Sequence, residues 1–149
     1  MHVQLRPIDD EYAALCTALT VSEEQSAFIA SNARSLETAR ENPDTAHPFA
    51  ICADGQVVGF AMFAVEPDYP DPDDRYWLWR FMIDKNLQGR GYGSEALGEI
   101  VRWFRGIGAG CVRLSTKAGN TRAIALYRKF GFRENGDMNG EETVFQLNL

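Results

Sequence analysis

The feature that most constrains the fold is a glycine-rich loop placed between a strand pattern and a helix pattern. Residues 76–83 are rich in aromatic and branched side chains, which is typical of a central strand. The loop 88–93 follows with the sequence QGRGYG, and apolar residues then recur over 97–104 at the spacing of a helix face. This order predicts a strand–helix–strand unit with free backbone amides at the start of the helix.

Periodicity and turn signals along the remaining sequence predict the order β-α-α-β-β-β-α-β-α-β-β. The predicted strands are 3–6, 49–52, 57–65, 76–83, 112–116, 132–135 and 143–147, and the predicted helices are 12–19, 22–42, 94–106 and 120–130. Asp54-Gly55 and Asn139-Gly140 are hairpin signals. We therefore expect an α/β (mixed α+β) chain of one domain, 1–149, with a central mixed sheet, mostly antiparallel, and helices on both faces.

Composition excludes several classes of protein. The formal net charge is −6, which disfavours nucleic-acid binding, and no apolar run approaches the length of a membrane helix. The N-terminus lacks the apolar core of a signal peptide, so we expect a cytoplasmic protein. Cys16, Cys52 and Cys111 are widely spaced and predicted to be reduced core thiols, and His2 and His47 form no ligand-spaced cluster, so no metal is expected.

The loop 88–93 has the chemistry of an anion cradle. Its three alternate glycines leave amides pointing outward at a helix N-terminus. No Lys-Ser/Thr pair follows and the G-x-G-x-x-G spacing is absent, which disfavours nucleoside triphosphate hydrolysis and dinucleotide binding. A flexible glycine-rich turn is the alternative interpretation of the loop when it is taken alone.

Two signatures together resemble the GCN5-related N-acetyltransferase (GNAT) family. Its acetyl-CoA loop, Gln/Arg-x-x-Gly-x-Gly/Ala, is matched by Gln88, Gly91 and Gly93. Its second signature, an Asn after the next strand, then Ala and Tyr on a helix that ends in Gly-Phe, is matched by Asn120, Ala123, Tyr127, Gly131 and Phe132. The resemblance covers nearly the whole chain. It implies a GNAT fold with a twisted sheet that splays into a V, and an acyltransferase that uses acetyl-CoA.

The resemblance also implies roles for individual residues. The pyrophosphate of the coenzyme would be held by the amides of Gln88, Gly89, Arg90, Gly91, Tyr92, Gly93 and Ser94. The pantetheine arm would pair with the main chain of Phe81, Met82 and Ile83, and Asn120 would bind its edge, on the helix that carries Ala123. Arg90 and Arg122 would meet phosphate charge, or else lie on the solvated surface. Tyr127 would protonate the departing thiolate as general acid.

The acceptor is predicted from an acidic half of the chain. Residues 1–75 carry 14 acidic and 4 basic side chains, and the loop 66–74, with three prolines and five carboxylates, is predicted to be irregular. Stretches 21–25, 59–62 and 77–84 resemble bacterial spermine/spermidine (diamine) acetyltransferases. We therefore expect transfer to a primary amine of a small polycation by direct attack in a ternary complex. The predicted substrate-binding residues are Gln25, Glu66, Asp68, Asp71 and Trp79.

Several alternatives stay open at this point. The acceptor could be an aminoglycoside, an amino acid, a peptide N-terminus or a protein lysine, and a non-catalytic acyl-CoA sensor is a further possibility. No general base is distinguished among Glu23, Glu24, Glu66, Asp68, Asp84 and water. The resemblance also implies a homodimer.

Overall fold

One seven-stranded sheet runs through the chain. The structure, a computed structural model, describes residues 2–20 and 31–149. The strands are β1 (Val3–Pro7), β2 (Ala46–Ala53), β3 (Gln56–Val65), β4 (Tyr76–Ile83), β5 (Cys111–Thr116), β6 (Arg133–Asn139) and β7 (Glu142–Asn148). Their spatial order is β1-β2-β3-β4-β5-β7-β6, and every neighbouring pair is antiparallel except β4 with β5. The predicted mixed, mostly antiparallel sheet is confirmed.

The helices follow the predicted order. In the described residues they are α1 (Asp10–Thr17), α2 (Asn32–Glu41), α3 (Tyr92–Gly106) and α4 (Thr121–Lys129). The predicted start of the second helix near Ser22 lies outside the described residues. Within the described ranges, no helix combines the length and the apolar character that crossing a membrane would require.

Local signals in the sequence set several of these boundaries. The carboxylate of Asp9 accepts a hydrogen bond from the Tyr12 amide at 2.8 Å and caps α1. Asp54 and Gly55 both have positive φ, 52° and 82°, as the tight turn between β2 and β3 requires. Gly131 has φ 101° directly after α4, where the chain must leave the helix.

Three predicted boundaries are corrected. β2 begins three residues earlier than expected and contains Pro48; the strand tolerates this proline because β1 pairs only with residues 49–53 of β2. The last hairpin turns at residues 140–141 rather than 139–140, because Asn139 still pairs with β7. The acidic loop contains a short 3₁₀ turn, Pro72–Asp74, whose first residue is a proline with a suitable φ.

Helices cover both faces of the sheet, as predicted. Alternate residues of β3 point to opposite sides, so Phe60 and Met62 pack in a cluster with α1 and α2, whereas Ala61 and Phe63 pack in a second cluster with α3 and α4. The Phe63 ring lies 4.9 Å from the ring of Phe104 on α3. The two faces are called the α1/α2 face and the α3/α4 face below.

The close packing of β3 on β4 depends on Gly59. A Cβ atom at this position would lie 2.3 Å from the carbonyl oxygen of Met82 and 2.9 Å from Cδ1 of Ile83. Backbone atoms of the neighbouring strand cannot yield without moving the strand. Gly59 therefore fixes the position of the end of β4.

Replacement of Gly59 by alanine is expected to destabilise the protein by about 1–3 kcal/mol through overpacking. The measurement is the free energy of unfolding in urea. Gly106→Ala is the matched control, because no atom lies within 4 Å of the added methyl group at the end of α3. Equal unfolding midpoints for the two variants would contradict the close contact at Gly59.

Candidate functional site

The central feature of the candidate site is a slot where β4 and β5 separate. The two parallel strands pair at one position, Trp77 with Arg113. Beyond this pair a cleft of about 1030 Å³ opens, and its lining includes residues 77–83 of β4 and 113–116 of β5. The main chain of β4 that faces β5 after Trp77 is thus available to an extended ligand, as an added strand would be. The predicted V-shaped splay is confirmed.

A β-bulge in β4 lies at the mouth of this slot. Met62 of β3 pairs with Arg80 and Phe63 pairs with Leu78, so Trp79 is the extra residue of the bulge. A bulge bends its strand and increases the local twist. Because cross-strand partners share a face, Arg80 lies with Met62 on the α1/α2 face.

The glycine loop forms one end of the cleft. Gly89 and Gly91 have φ 78° and 89°, a backbone conformation that favours glycine. Gly91 is the N-cap of α3 and has no side chain to accept a hydrogen bond. The amides of the first helical turn therefore face the cleft without a capping side chain. Gln88 donates from its side chain to the carbonyl oxygen of Ile83 at 3.0 Å, which ties the loop to the end of β4.

Helix α4 brings a positive charge to this loop. A Cβ atom on Gly89 would lie 3.8 Å from the Arg122 guanidinium, and one on Gly93 would lie 3.4 Å from Leu126. Arg122 lines the cleft, whereas the exposed Arg90 does not. Tyr92 also lies outside the lining, because its side chain packs against the core of the α3/α4 face.

Asn120, at the N-cap of α4, lines the cleft, and so do Ala123 and Tyr127 within the helix. Asn120 stands at the N-cap position but makes no capping hydrogen bond; its Nδ2 donates instead to the Thr116 hydroxyl at 3.1 Å. Tyr127 is 8% exposed and packs on the ring of Phe132, with 5.8 Å between ring centroids. Burial raises the pKa of Tyr127, so its phenol stays protonated at neutral pH.

Most of the residues predicted to bind the cofactor line the same cleft. The predicted residues in the lining are Phe81, Met82, Ile83, Gln88, Gly89, Gly91, Gly93, Ser94, Asn120, Arg122, Ala123 and Tyr127. Arg90 and Tyr92 lie outside this lining.

The predicted acceptor residues divide as well. Glu66 and Trp79 line the cleft, whereas Asp68 and Asp71 do not. Asp71 instead caps the 3₁₀ turn by accepting a hydrogen bond from the Asp73 amide at 3.0 Å. Gln25, Glu23 and Glu24 lie outside the described residues.

Asp84, one of the candidate bases, has a structural role. Its carboxylate is 9% exposed and accepts hydrogen bonds from the amides of Asn86, at 2.9 Å, and Thr20, at 3.0 Å. It does not line the cleft. These contacts join the end of β4 to the segment after α1, so the Asp84 carboxylate is used in holding the fold together.

The structure adds cleft residues that the sequence prediction missed. They include Arg75, Arg80, Arg113, Ser115, Asp137 and Glu142, whereas Asp74, which also lines the cleft, belongs to the predicted acidic loop. Asp74 forms an ion pair with Arg113 at 2.5 Å, so its charge is neutralised locally. Alternating polar residues along β5 and β7 could have indicated Ser115 and Glu142 in the sequence. The alternation alone does not show that these strands pair, and it is their pairing that places Ser115 opposite Val144.

Arg80 is unusual among these residues because part of its guanidinium is buried without a partner among residues 2–20 and 31–149. Its Nε has no hydrogen-bond partner in the described part of the chain, and one terminal nitrogen donates to the Trp79 carbonyl oxygen at 2.9 Å. Burial lowers the pKa of the guanidinium, and the nearby negative charge of Glu142 opposes this effect. A positive and a negative group thus face the same part of the cleft from β4 and β7.

Residues 2–20 and 31–149 contain no group of three or more His, Cys, Asp or Glu placed to hold a metal ion.

The cleft offers an extended slot, an amide-rich helix start, a protonated phenol and several carboxylates. This set suits a ligand with an anionic end and an extended arm, and a second ligand that is cationic.

Comparisons with known proteins agree with this geometry. Residues 8–132 match the model of the acetyltransferase (GNAT) family. The chain is 35% identical, over 97% of both chains, to the spermine/spermidine N(1)-acetyltransferase of Bacillus subtilis (strain 168), and equally to a probable spermine N(1)-acetyltransferase of Bacillus subtilis subsp. natto (strain BEST195).

The fold is also similar to that of a solved N-acetyltransferase structure. The PaiA N-acetyltransferase of Thermoplasma acidophilum, in complex with coenzyme A, superposes with a TM-score of 0.70 at 16% identity and full coverage, 100% of each chain. The cleft residues are compatible with such a ligand, since a slot beside β4 ends at uncapped helix amides. The chain therefore belongs to the GNAT family of acetyltransferases, enzymes whose acyl donor is acetyl-CoA.

Proposed function

We propose that this enzyme transfers an acetyl group from acetyl-CoA to a primary amine of spermine, spermidine or a diamine. The observation that carries the proposal is a set of three carboxylates dispersed along the acceptor end of the cleft. Glu66, Asp137 and Glu142 come from three different parts of the chain, and all line the cleft. A polyamine carries several ammonium groups along a flexible chain, which such dispersed carboxylates can match. The identity to a spermine/spermidine N(1)-acetyltransferase supports the same substrate class.

The donor end is proposed to hold the coenzyme along the slot. The amides of residues 88–94 and the guanidinium of Arg122 bind the pyrophosphate, as expected of a helix N-terminus with an added cation. The main chain of 81–83 pairs with the pantetheine arm, and Asn120 hydrogen-bonds to its edge. The thioester then lies where the slot passes through the sheet.

At the acceptor end the proposal retains Glu66 and Trp79 as contacts of the amine. Asp68 and Asp71 lie on the same acidic loop but outside the lining, so they are assigned no contact with it. A single domain, 1–149, a homodimer and a cytoplasmic location belong to the same proposal, on the strength of the sequence and the resemblance.

Transfer proceeds by direct attack in a ternary complex. The neutral amine nitrogen attacks the thioester carbonyl carbon; a C–N bond forms, the C–S bond breaks, and the sulfur leaves with the electron pair. Tyr127 lines the cleft as a protonated phenol and donates to that sulfur. The raised pKa keeps the phenol protonated and therefore able to donate. Its hydrogen bond to the sulfur strengthens as negative charge develops there.

The proposed function is tested by thiol release from acetyl-CoA with a panel of amines. The panel holds spermine, spermidine, putrescine, amino acids, an aminoglycoside and a lysine peptide. We expect the highest kcat/KM with the polyamines, because they alone carry several ammonium groups on an extended chain. Mass spectrometry of the product checks that one acetyl group has been added. Preferential acetylation of an amino acid, the aminoglycoside or the peptide would contradict the polyamine proposal.

Tyr127→Phe removes the phenol hydroxyl and keeps the ring that packs on Phe132. The expected result is a fall in kcat of at least about tenfold, within the range for loss of a general acid, with acetyl-CoA affinity unchanged. Steady-state kinetics and calorimetric titration of acetyl-CoA measure the two effects separately. Wild-type turnover in this variant would exclude the acid role.

A further inference from the structure

We infer that Glu142 binds the reacting ammonium of the acceptor and removes its proton before attack. This inference rests on the proposed function, because it concerns the same cleft and the same cationic acceptor. It supplies the general base that the sequence leaves unassigned. Three observations carry it: the face of the sheet on which Glu142 lies, the hydrogen-bond chain that ends on its carboxylate, and the guanidinium of Arg80 on β4.

Strand pairing places Glu142 on the face opposite Tyr127. Leu114 and Phe145 are paired and both lie in the core of the α3/α4 face, which also contains Tyr127. Neighbouring residues of a strand alternate, so Ser115, Val144 and Glu142 lie toward the α1/α2 face. Glu142 and Tyr127 nevertheless line the same cleft. The slot therefore exposes a reacting centre to a base on one side and to an acid on the other.

A chain of two hydrogen bonds ends on the Glu142 carboxylate and orients it. The Asn139 amide nitrogen donates to the Ser115 hydroxyl at 3.2 Å, and that hydroxyl donates to Oε1 of Glu142 at 2.8 Å. An amide NH₂ is a donor only, so the direction of the chain is fixed and ends on an acceptor oxygen of Glu142. Glu66 and Asp137 also line the cleft, but both residues are exposed. Glu142 is half-buried and oriented, which a base must be.

Arg80 makes proton removal easier. Its guanidinium faces the cleft from β4 and is near enough to Glu142 for their charges to interact, although they form no direct ion pair. An ammonium between them is attracted by the carboxylate and sits close to a cation. A nearby like charge and a partly desolvated site both lower the pKa of an ammonium. Both effects oppose the stabilisation of the charged ammonium by the Glu142 carboxylate, so the bound amine loses its proton more readily than it would beside Glu142 alone.

One N–H proton of the ammonium passes to the Glu142 carboxylate, the resulting lone pair attacks the thioester carbonyl carbon, and the C–S bond breaks toward a sulfur that receives the proton of Tyr127. The products are the N-acetylated amine and coenzyme A. The attacking nitrogen gives up its second N–H proton as the C–S bond breaks, and this proton restores the Tyr127 phenol through solvent. The protonated Glu142 returns its proton to solvent, so one proton is released in each turnover.

The test is Glu142→Gln, which keeps the shape of the side chain and an acceptor for Ser115 but cannot take a proton. With spermine and saturating acetyl-CoA we expect kcat/KM at pH 7.5 to fall by about 10²-fold. The remaining rate should rise about tenfold for each pH unit from 7 to 9, because only amine already neutral in solution reacts. The wild-type profile should be flatter over this range. Glu141→Gln is the matched control, since Glu141 is exposed in the hairpin turn and does not line the cleft.

Acetyl-CoA affinity and the thermal unfolding midpoint are measured for each variant and should equal those of the wild type. If Glu142→Gln fails to fold, Ser115→Ala takes its place, with an expected loss of several-fold in kcat/KM and a steeper pH profile. Wild-type kcat/KM and pH profile in the folded variant would overturn the role of Glu142. If wild-type enzyme acetylates another amine of the panel instead, the polyamine proposal fails, and the same comparison with that amine decides the role of Glu142.

Discussion

The separation of β4 from β5 is the constraint on which the remaining site depends. Two parallel strands that paired along their whole length would use every main-chain group between them, and no slot would exist. Here they pair once, at Trp77 and Arg113, and Arg113 is anchored by Asp74 and by the side chain of Gln146, to which its Nε donates at 2.8 Å. The bulge at Trp79 then bends β4. The strands are thus joined at one point and free beyond it.

This arrangement divides the chemistry between the two faces of the sheet. Helices α3 and α4 place the uncapped amides, Arg122 and Tyr127 on one face, where an anionic and extended donor fits. The opposite face carries Arg80 and Glu142, and an amine can approach there without crossing the donor. Because the slot joins the faces, two substrates of opposite charge can meet at one carbon atom in a single complex, as direct transfer requires.

The donor side could be predicted from the sequence because its signals are local. The glycines at 89 and 91, the helix that follows, and Asn120 seven residues before Tyr127 on α4 are each visible within a short segment. The acceptor side could not be predicted in this way. Glu142 reaches the cleft through the pairing of β5 with β7, and the Pro72–Asp74 turn occupies Asp71 as a cap. Such assignments depend on register between distant strands, which a pattern of charges does not encode.

The most direct test of the slot is hydrogen exchange of the β4 amides with and without acetyl-CoA. If the coenzyme lies along β4 as an added strand, exchange in residues 78–83 and 88–94 should slow at least about tenfold at saturation, since newly paired amides are protected. Strand β1, at the edge of the sheet and outside the cleft lining, serves as the internal reference and should be unchanged. Unaltered exchange in β4, with protection appearing elsewhere, would contradict the proposed path of the donor through the sheet.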